Sequence, residues 1–137
     1  MTRCLRGVMG WVFVCLPLLS YGLTVTDDRG VTVTFERAPQ RIVSLLPSLT
    51  ETVCELDQCH RLVGVDRYSN YPAMVQRLPQ VGGGLDPSVE AVVALRPDVV
   101  LMATSSRAAE RLQALGLKVV ALEPRSHKDV QDRKSVV

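Results

Sequence analysis

The sequence predicts an α/β domain: a small parallel sheet with helices on both faces, preceded by a β-hairpin. Three observations carry this. Short apolar runs of strand character alternate with segments whose apolar residues recur at helical spacing. The order strand, loop, helix, strand occurs twice, over residues 42–65 and 99–122, with the same offset of 23 residues. Residues 99–103 (VVLMA) are apolar at every position, as in a strand covered on both faces.

Composition narrows the class. Hydrophobic residues make up 47% and charged residues 22%, a globular balance that excludes a disordered chain. A length of 137 residues suits one domain rather than two. Sixteen Lys and Arg face 14 Asp and Glu with no basic run of four, which excludes an electrostatic nucleic-acid footprint.

Residues 1–22 read as a secretory signal peptide. Arg3 and Arg6 form its basic start, residues 8–19 its apolar core, and Ser20 and Gly22 the small residues before cleavage. The apolar core is about 12 residues, short of the roughly 20 that span a bilayer; the competing reading is an uncleaved anchor. No Cys follows the apolar run, which argues against a lipoprotein. Removing this segment takes two arginines and no acid, so 14 basic residues face 14 acidic ones and the exported chain is neutral. It keeps three aromatics, Phe35, Tyr68 and Tyr71.

The elements follow in order. Residues 23–26 and 31–35 are β-rich runs separated by Asp27-Asp28-Arg29-Gly30, a hairpin with Gly30 at the positive-φ position. Residues 38–40 link it to the main domain, which begins at 41. Residues 41–45 (RIVSL) form a strand ended by Pro47, and Ser48-Leu49-Thr50-Glu51 reads as a capping box opening a helix with Leu49, Val53 and Leu56 inward. Cys54 and Cys59 lie at the end of that helix and just past it, either a local disulfide suited to an oxidising compartment or two separate thiols. Residues 62–65 are the next strand, and 72–78 a short helix stopped by Pro79. After Gly82-Gly83-Gly84, Asp86 caps a helix with Pro87 at its first position and Val89, Val92 and Val93 on its apolar face. The strand at 99–103 leads through Ser105 and Ser106, read as helix caps, to a helix over 107–115 with Leu112 and Leu115 inward and Gly116 as C-cap. Residues 117–122 are the last strand.

In such a sheet, ligands bind outside the carboxyl ends of the strands. The loops there are 46–48, 66–71 and 104–106, with the glycine loop reaching the same rim. They carry no enzyme motif. The three glycines form neither a dinucleotide nor a phosphate loop, there is no nucleophile elbow, and His60 lies at the entering end of a strand. Two Cys and two His, His60 and His127, lack the paired spacing of a zinc site. No catalytic residue, metal or cofactor is therefore assigned. Asp66 and Arg67, the charged pair of the rim, read as a solvated turn. Tyr68-Ser69-Asn70-Tyr71 is the best candidate for ligand contact, because tyrosine offers apolar area and a hydroxyl at low entropic cost and two of three aromatics cluster there.

As a set, RIVSL at 41–45, SLTE at 48–51, VGVDRYSNYP at 63–72, VGG at 81–83, VEAVVALRPDVV at 89–100 and LGLKVV at 115–120 resemble the amino-terminal lobe of the helical-backbone periplasmic binding proteins of ABC importers. That family carries vitamin B12, ferric siderophores and haem, and YSNYP is most similar to its cobalamin binder. The resemblance implies a periplasmic, monomeric, non-enzymatic substrate-binding component that captures a corrinoid or iron chelate and delivers it to the membrane subunits of a permease. It implies ligand contact by Tyr68, Ser69, Asn70 and Tyr71, and docking of Glu90 onto the permease. The cobalamin binder carries a Trp in the loop where this sequence has Gly84, so one aromatic wall is absent while the position still faces the ligand. The family clamps ligand between two lobes joined by a long helix. Here that helix would begin near His127, and the sequence reads as a fragment holding one lobe over 41–137. The competing readings are a periplasmic enzyme or chelatase-like domain on a similar scaffold, and a pure interaction module acting through Glu90.

Overall fold

The computed structural model describes residues 22–123; the expected leader (apart from Gly22) and the inter-lobe helix near His127 lie outside them. Strands β1 (Leu23–Thr26) and β2 (Thr32–Phe35) pair antiparallel, Leu23 against Phe35 and Thr26 against Thr32. Gly30 takes φ +77°, which permits the tight turn a side chain would oppose. The main sheet holds β3 (Ile42–Ser44), β4 (Leu62–Val65), β5 (Val99–Met102) and β6 (Val119–Ala121), all parallel, in the order β4-β3-β5-β6. Helices α1 (Pro47–Glu55), α2 (Val89–Ala94) and α3 (Ala109–Ala114) make the connections, so both repeats of the sequence are βαβ units.

Period-two alternation assigns the two faces of the sheet. Ile42, Val99, Leu101 and Val120 pack with Leu49 and Val53 of α1 and with Val25 and Phe35 of the hairpin. Val43, Val100, Met102 and Val119 pack with Val92 of α2 and Leu112 of α3. Every residue of β5 is buried, because helices or hairpin cover both its sides. Two residues expected inward point out: Val93 is 39% exposed and Leu115 60%. Helices of six residues bury a single narrow stripe, which Val92 and Leu112 already fill.

Three helix starts differ from expectation. The Ser48–Glu51 capping box does not form: Pro47 occupies the first helical position after Leu46, so Ser48 already lies inside the first turn, and no side chain caps the helix. Ser88, not Asp86, caps α2, its Oγ accepting from Ala91 N at 3.3 Å. The backbone before it is engaged elsewhere, with Pro87 bridged to Gly82 and Ser88 N donating to Val81 O at 2.7 Å. Helix α3 starts at Ala109, so Ser105 and Ser106 cap nothing, and the Ser106 hydroxyl is buried without a hydrogen-bond partner among the described residues.

Two clasps complete the fold. Cys54 and Cys59 are joined by a disulfide tying the end of α1 to the turn before β4. The hairpin turn is stitched to the outer edge of the sheet, where Asp28 N donates to Ala121 O at 3.0 Å and the Asp27 carboxylate accepts from Ala121 N at 3.2 Å.

Candidate functional site: the rim at the strand carboxyl ends

The chain passes from β3 to β4 on one side and returns to β5 on the other side of β3, so the topological switch point lies between β3 and β5. The loops leaving β3 and β4 meet the glycine loop on the β4 side of that point. Arg67 N donates to Gly82 O at 2.9 Å, and Val81 N to Val65 O at 3.0 Å, which seats the glycine loop beside the loop that follows β4. Gly82 takes φ +100° to make the corner.

Gly84 is fixed by contact rather than by φ. A Cβ there would lie 2.3 Å from the carbonyl oxygen of Leu45, and Leu45 is itself held by its N–H on Leu101 O at 2.8 Å. No side chain fits without moving backbone, so this loop has no room for an aromatic wall at that position. Replacing Gly84 with alanine is expected to destabilise the fold by about 1–3 kcal/mol through overpacking. Gly30→Ala, which meets nothing within 4 Å, costs only the roughly 1 kcal/mol of a strained φ. Urea denaturation of both variants checks this, and equal losses would contradict it.

The candidate loop divides into outward and inward residues. Tyr68 and Tyr71 are 66% and 67% exposed, and Asn70 is exposed, its carbonyl accepting from Gln76 Nε2 at 3.0 Å. Ser69 is only 3% exposed; its hydroxyl donates to Asp66 Oδ1 and lies 2.9 Å from Thr50 Oγ1. In this placement Ser69 holds the loop from beneath. Asp66 is not part of a solvated turn. It is 1% exposed and also accepts from Tyr68 N at 3.1 Å, so an Asp with a Ser three residues on closes a side-chain-to-backbone turn. Arg67 is exposed, its guanidinium carbon 5.6 Å from the Tyr68 ring centroid.

Sequence reasoning missed three further rim features. Met74 and Leu85 are 47% and 64% exposed and add apolar surface to the segments that follow β4; an exposed Leu flanked by Gly84 and Asp86 was the available signal. Thr50 is fully buried, and a hydroxyl on the apolar face of α1, next to Leu49, marked it. Beyond β5, Thr104 Oγ1 donates to Glu123 Oε2 at 2.5 Å, joining the last two strand ends.

Glu90 is exposed in the first turn of α2. Arg41, entering β3, donates from Nη2 to Leu95 O at 2.6 Å, so α2 ends at the foot of the sheet and begins toward the rim. Glu90 therefore stands on the rim side, where the helix dipole also favours a carboxylate. His60 lies in the turn before β4, at the foot. A crevice of about 500 Å³, lined by Glu36, Arg37, Asp98 and Lys118 among others, is also at the foot, remote from the tyrosines.

The parallel sheet, covered on both faces, thus ends in a rim that carries two outward tyrosines beside its switch point. Residues 42–135 match the periplasmic binding protein family, to which the chain belongs. It is 34% identical over 107 residues to an uncharacterised ABC transporter substrate-binding lipoprotein, YvrC, of Bacillus subtilis, covering 74% of this chain and 34% of that one. It is 35% identical over 105 residues to a cobalamin-binding protein of Halobacterium salinarum, covering 73% and 28%. Among solved structures, a periplasmic heme-binding protein from Pseudomonas aeruginosa superposes with a TM-score of 0.66 at 32% identity, over 71% of this chain and 36% of that chain. The chain thus spans about a third of the length of the proteins it matches, one lobe of their fold.

Proposed function

We propose that this lobe is half of the ligand clamp of an ABC importer's substrate-binding component, working in the periplasm, and that its rim takes a metallated tetrapyrrole, a corrinoid or a haem, without chemical conversion. The observation that carries this reading is the pair of outward phenols, Tyr68 and Tyr71, on a loop pinned from beneath. Aromatic faces suit a flat macrocycle, a phenol oxygen can ligate iron or accept a hydrogen bond, and Met74 and Leu85 add apolar area. The relatives named for cobalamin and heme support the same cargo class. The leader expected from the sequence of residues 1–22 supports the same location.

Absorbance titration of the purified chain with cyanocobalamin, haemin and a ferric hydroxamate tests the reading. A saturable spectral shift with one of the first two is expected. A response to the hydroxamate alone would move the cargo to siderophores, and no response to any would sink the proposal.

Glu90 is proposed as the docking carboxylate toward the permease, an exposed charge that sets register more than affinity. Glu90→Arg is expected to lower ligand-stimulated ATP hydrolysis by the reconstituted importer about tenfold while leaving ligand affinity unchanged. Unchanged ATPase stimulation would remove Glu90 from the interface.

A further inference from the structure

We infer that Asp66, Ser69, Thr50 and Ser44 form a positioning device that sets the geometry of the tyrosine rim; this rests on the proposed role of Tyr68 and Tyr71. The four side chains belong to residues 0–3% exposed. Thr50 Oγ1 lies 2.9 Å from Ser44 Oγ and 2.9 Å from Ser69 Oγ, and Ser69 donates to Asp66. A carboxylate only accepts, so the Ser69 proton is committed to Asp66 and the loop's rotamer is fixed by that bond. The backbone repeats the link, with Asp66 N donating to Ser44 O at 3.0 Å and Ser69 N to Asp66 O at 3.3 Å. The chain of hydroxyls therefore joins the end of β3, the first turn of α1 and the loop after β4.

Stability alone does not call for this arrangement. Apolar side chains of the same shape at such sites are often neutral or better, whereas buried hydroxyls and a carboxylate must all be satisfied. What the polar chain adds is direction. Hydrogen bonds specify one loop conformation where apolar packing tolerates several, and Tyr68 and Tyr71 flank the Ser69 anchor on either side. Ordering the loop before ligand arrives removes that entropic cost from binding.

The test is hydrogen exchange on the full chain without ligand, which keeps it independent of the cargo. Tyr68 N–H and Ser69 N–H report the loop directly, because they donate to Asp66 Oδ2 and Asp66 O. Thr50→Val, which removes the hydroxyl at constant shape, is expected to speed exchange of those two amides at least tenfold while the amides of β5 keep their rates. Thr50→Ser should restore protection, and Ser69→Ala should reproduce the valine effect. A network that only adds to overall stability would move the β5 amides together with the loop, and that outcome, or unchanged loop exchange in both Thr50→Val and Ser69→Ala, overturns the inference. If Thr50→Val does not fold, the Ser69→Ala comparison decides. Haemin and cyanocobalamin titrations of the same variants then read a roughly five- to thirtyfold loss of affinity. If the unaltered chain binds neither, the cargo proposal fails while the exchange result stands by itself.

Discussion

Truncating both rim tyrosines, Tyr68→Ala with Tyr71→Ala, is expected to weaken tetrapyrrole binding by roughly 30- to 1000-fold, from about 2–4 kcal/mol of lost aromatic contact. The same change should leave unfolding free energy within about 0.5 kcal/mol, because both rings are about two-thirds exposed and fill no part of the core. That separation is the point of the experiment. A double Tyr→Phe variant keeps the ring faces and removes the hydroxyls. If it binds like the unaltered chain, stacking carries the contact; if it behaves like the alanine pair, the phenol oxygens do. Spectroscopic titration alongside urea denaturation checks both quantities. Affinity within threefold of the unaltered chain would remove the tyrosine loop from the site.

Asp27 is expected to give the largest stability effect. Its side chain is fully shielded, yet it accepts from Arg29 N at 2.9 Å, Val31 N at 3.0 Å, Ala121 N at 3.2 Å and the Arg29 guanidinium at 2.9 and 2.7 Å. One oxygen thus closes the hairpin turn, and the other carries the arginine and the edge of β6. Burial pushes the carboxyl pKa up, but the Arg29 side chain and the backbone N–H groups of Ala121, Val31 and Arg29 outweigh it and hold the group below its ordinary value of 3.8. The sign follows by linkage. A pKa lower in the folded than in the unfolded chain adds stability that is fully present above the unfolded value and is lost as pH falls through the folded one. Asp27→Ala should cost about 2–4 kcal/mol at neutral pH, since it strips a buried acceptor and leaves donors unpaired. Asp27→Asn should cost less and remove part of the acid sensitivity below pH 4. Denaturant melts from pH 7 to pH 3 measure both. A variant as stable as the parent at pH 7, with the same acid profile, would show that the clasp contributes nothing.

The order of elements, the hairpin, the twofold βαβ echo and the doubly covered strand β5 were legible in the residues themselves. They rest on signals that are local or strictly periodic: alternation with period two, apolar recurrence near 3.6, and glycine where φ must be positive, as at Gly30 and Gly116. The location of the rim followed as well, because parallel strands fix which loops share an end. The residues at 41–120 that resemble the periplasmic binding proteins pointed to the family the chain belongs to.

What folding alone decided is which polar groups face inward and which backbone is already engaged. Asp66 and Ser69 sit in a sequence that reads as an open loop, and only the approach of Thr50 from α1, 19 residues earlier than Ser69, turns them into a buried anchor. Asp27 is an ordinary turn residue until Ala121 arrives from 94 positions away. The start of α2 moved to Ser88 because Gly82 and Val81 pair with Pro87 and Ser88, and Gly84 became obligatory because the Leu45 carbonyl lies against it. The α2 start depends on pairing within one loop, while the physical reason for the other three is shared. A hydrogen bond or a steric contact between segments distant along the chain depends on where the sheet brings them together, and no pattern within either segment encodes that meeting.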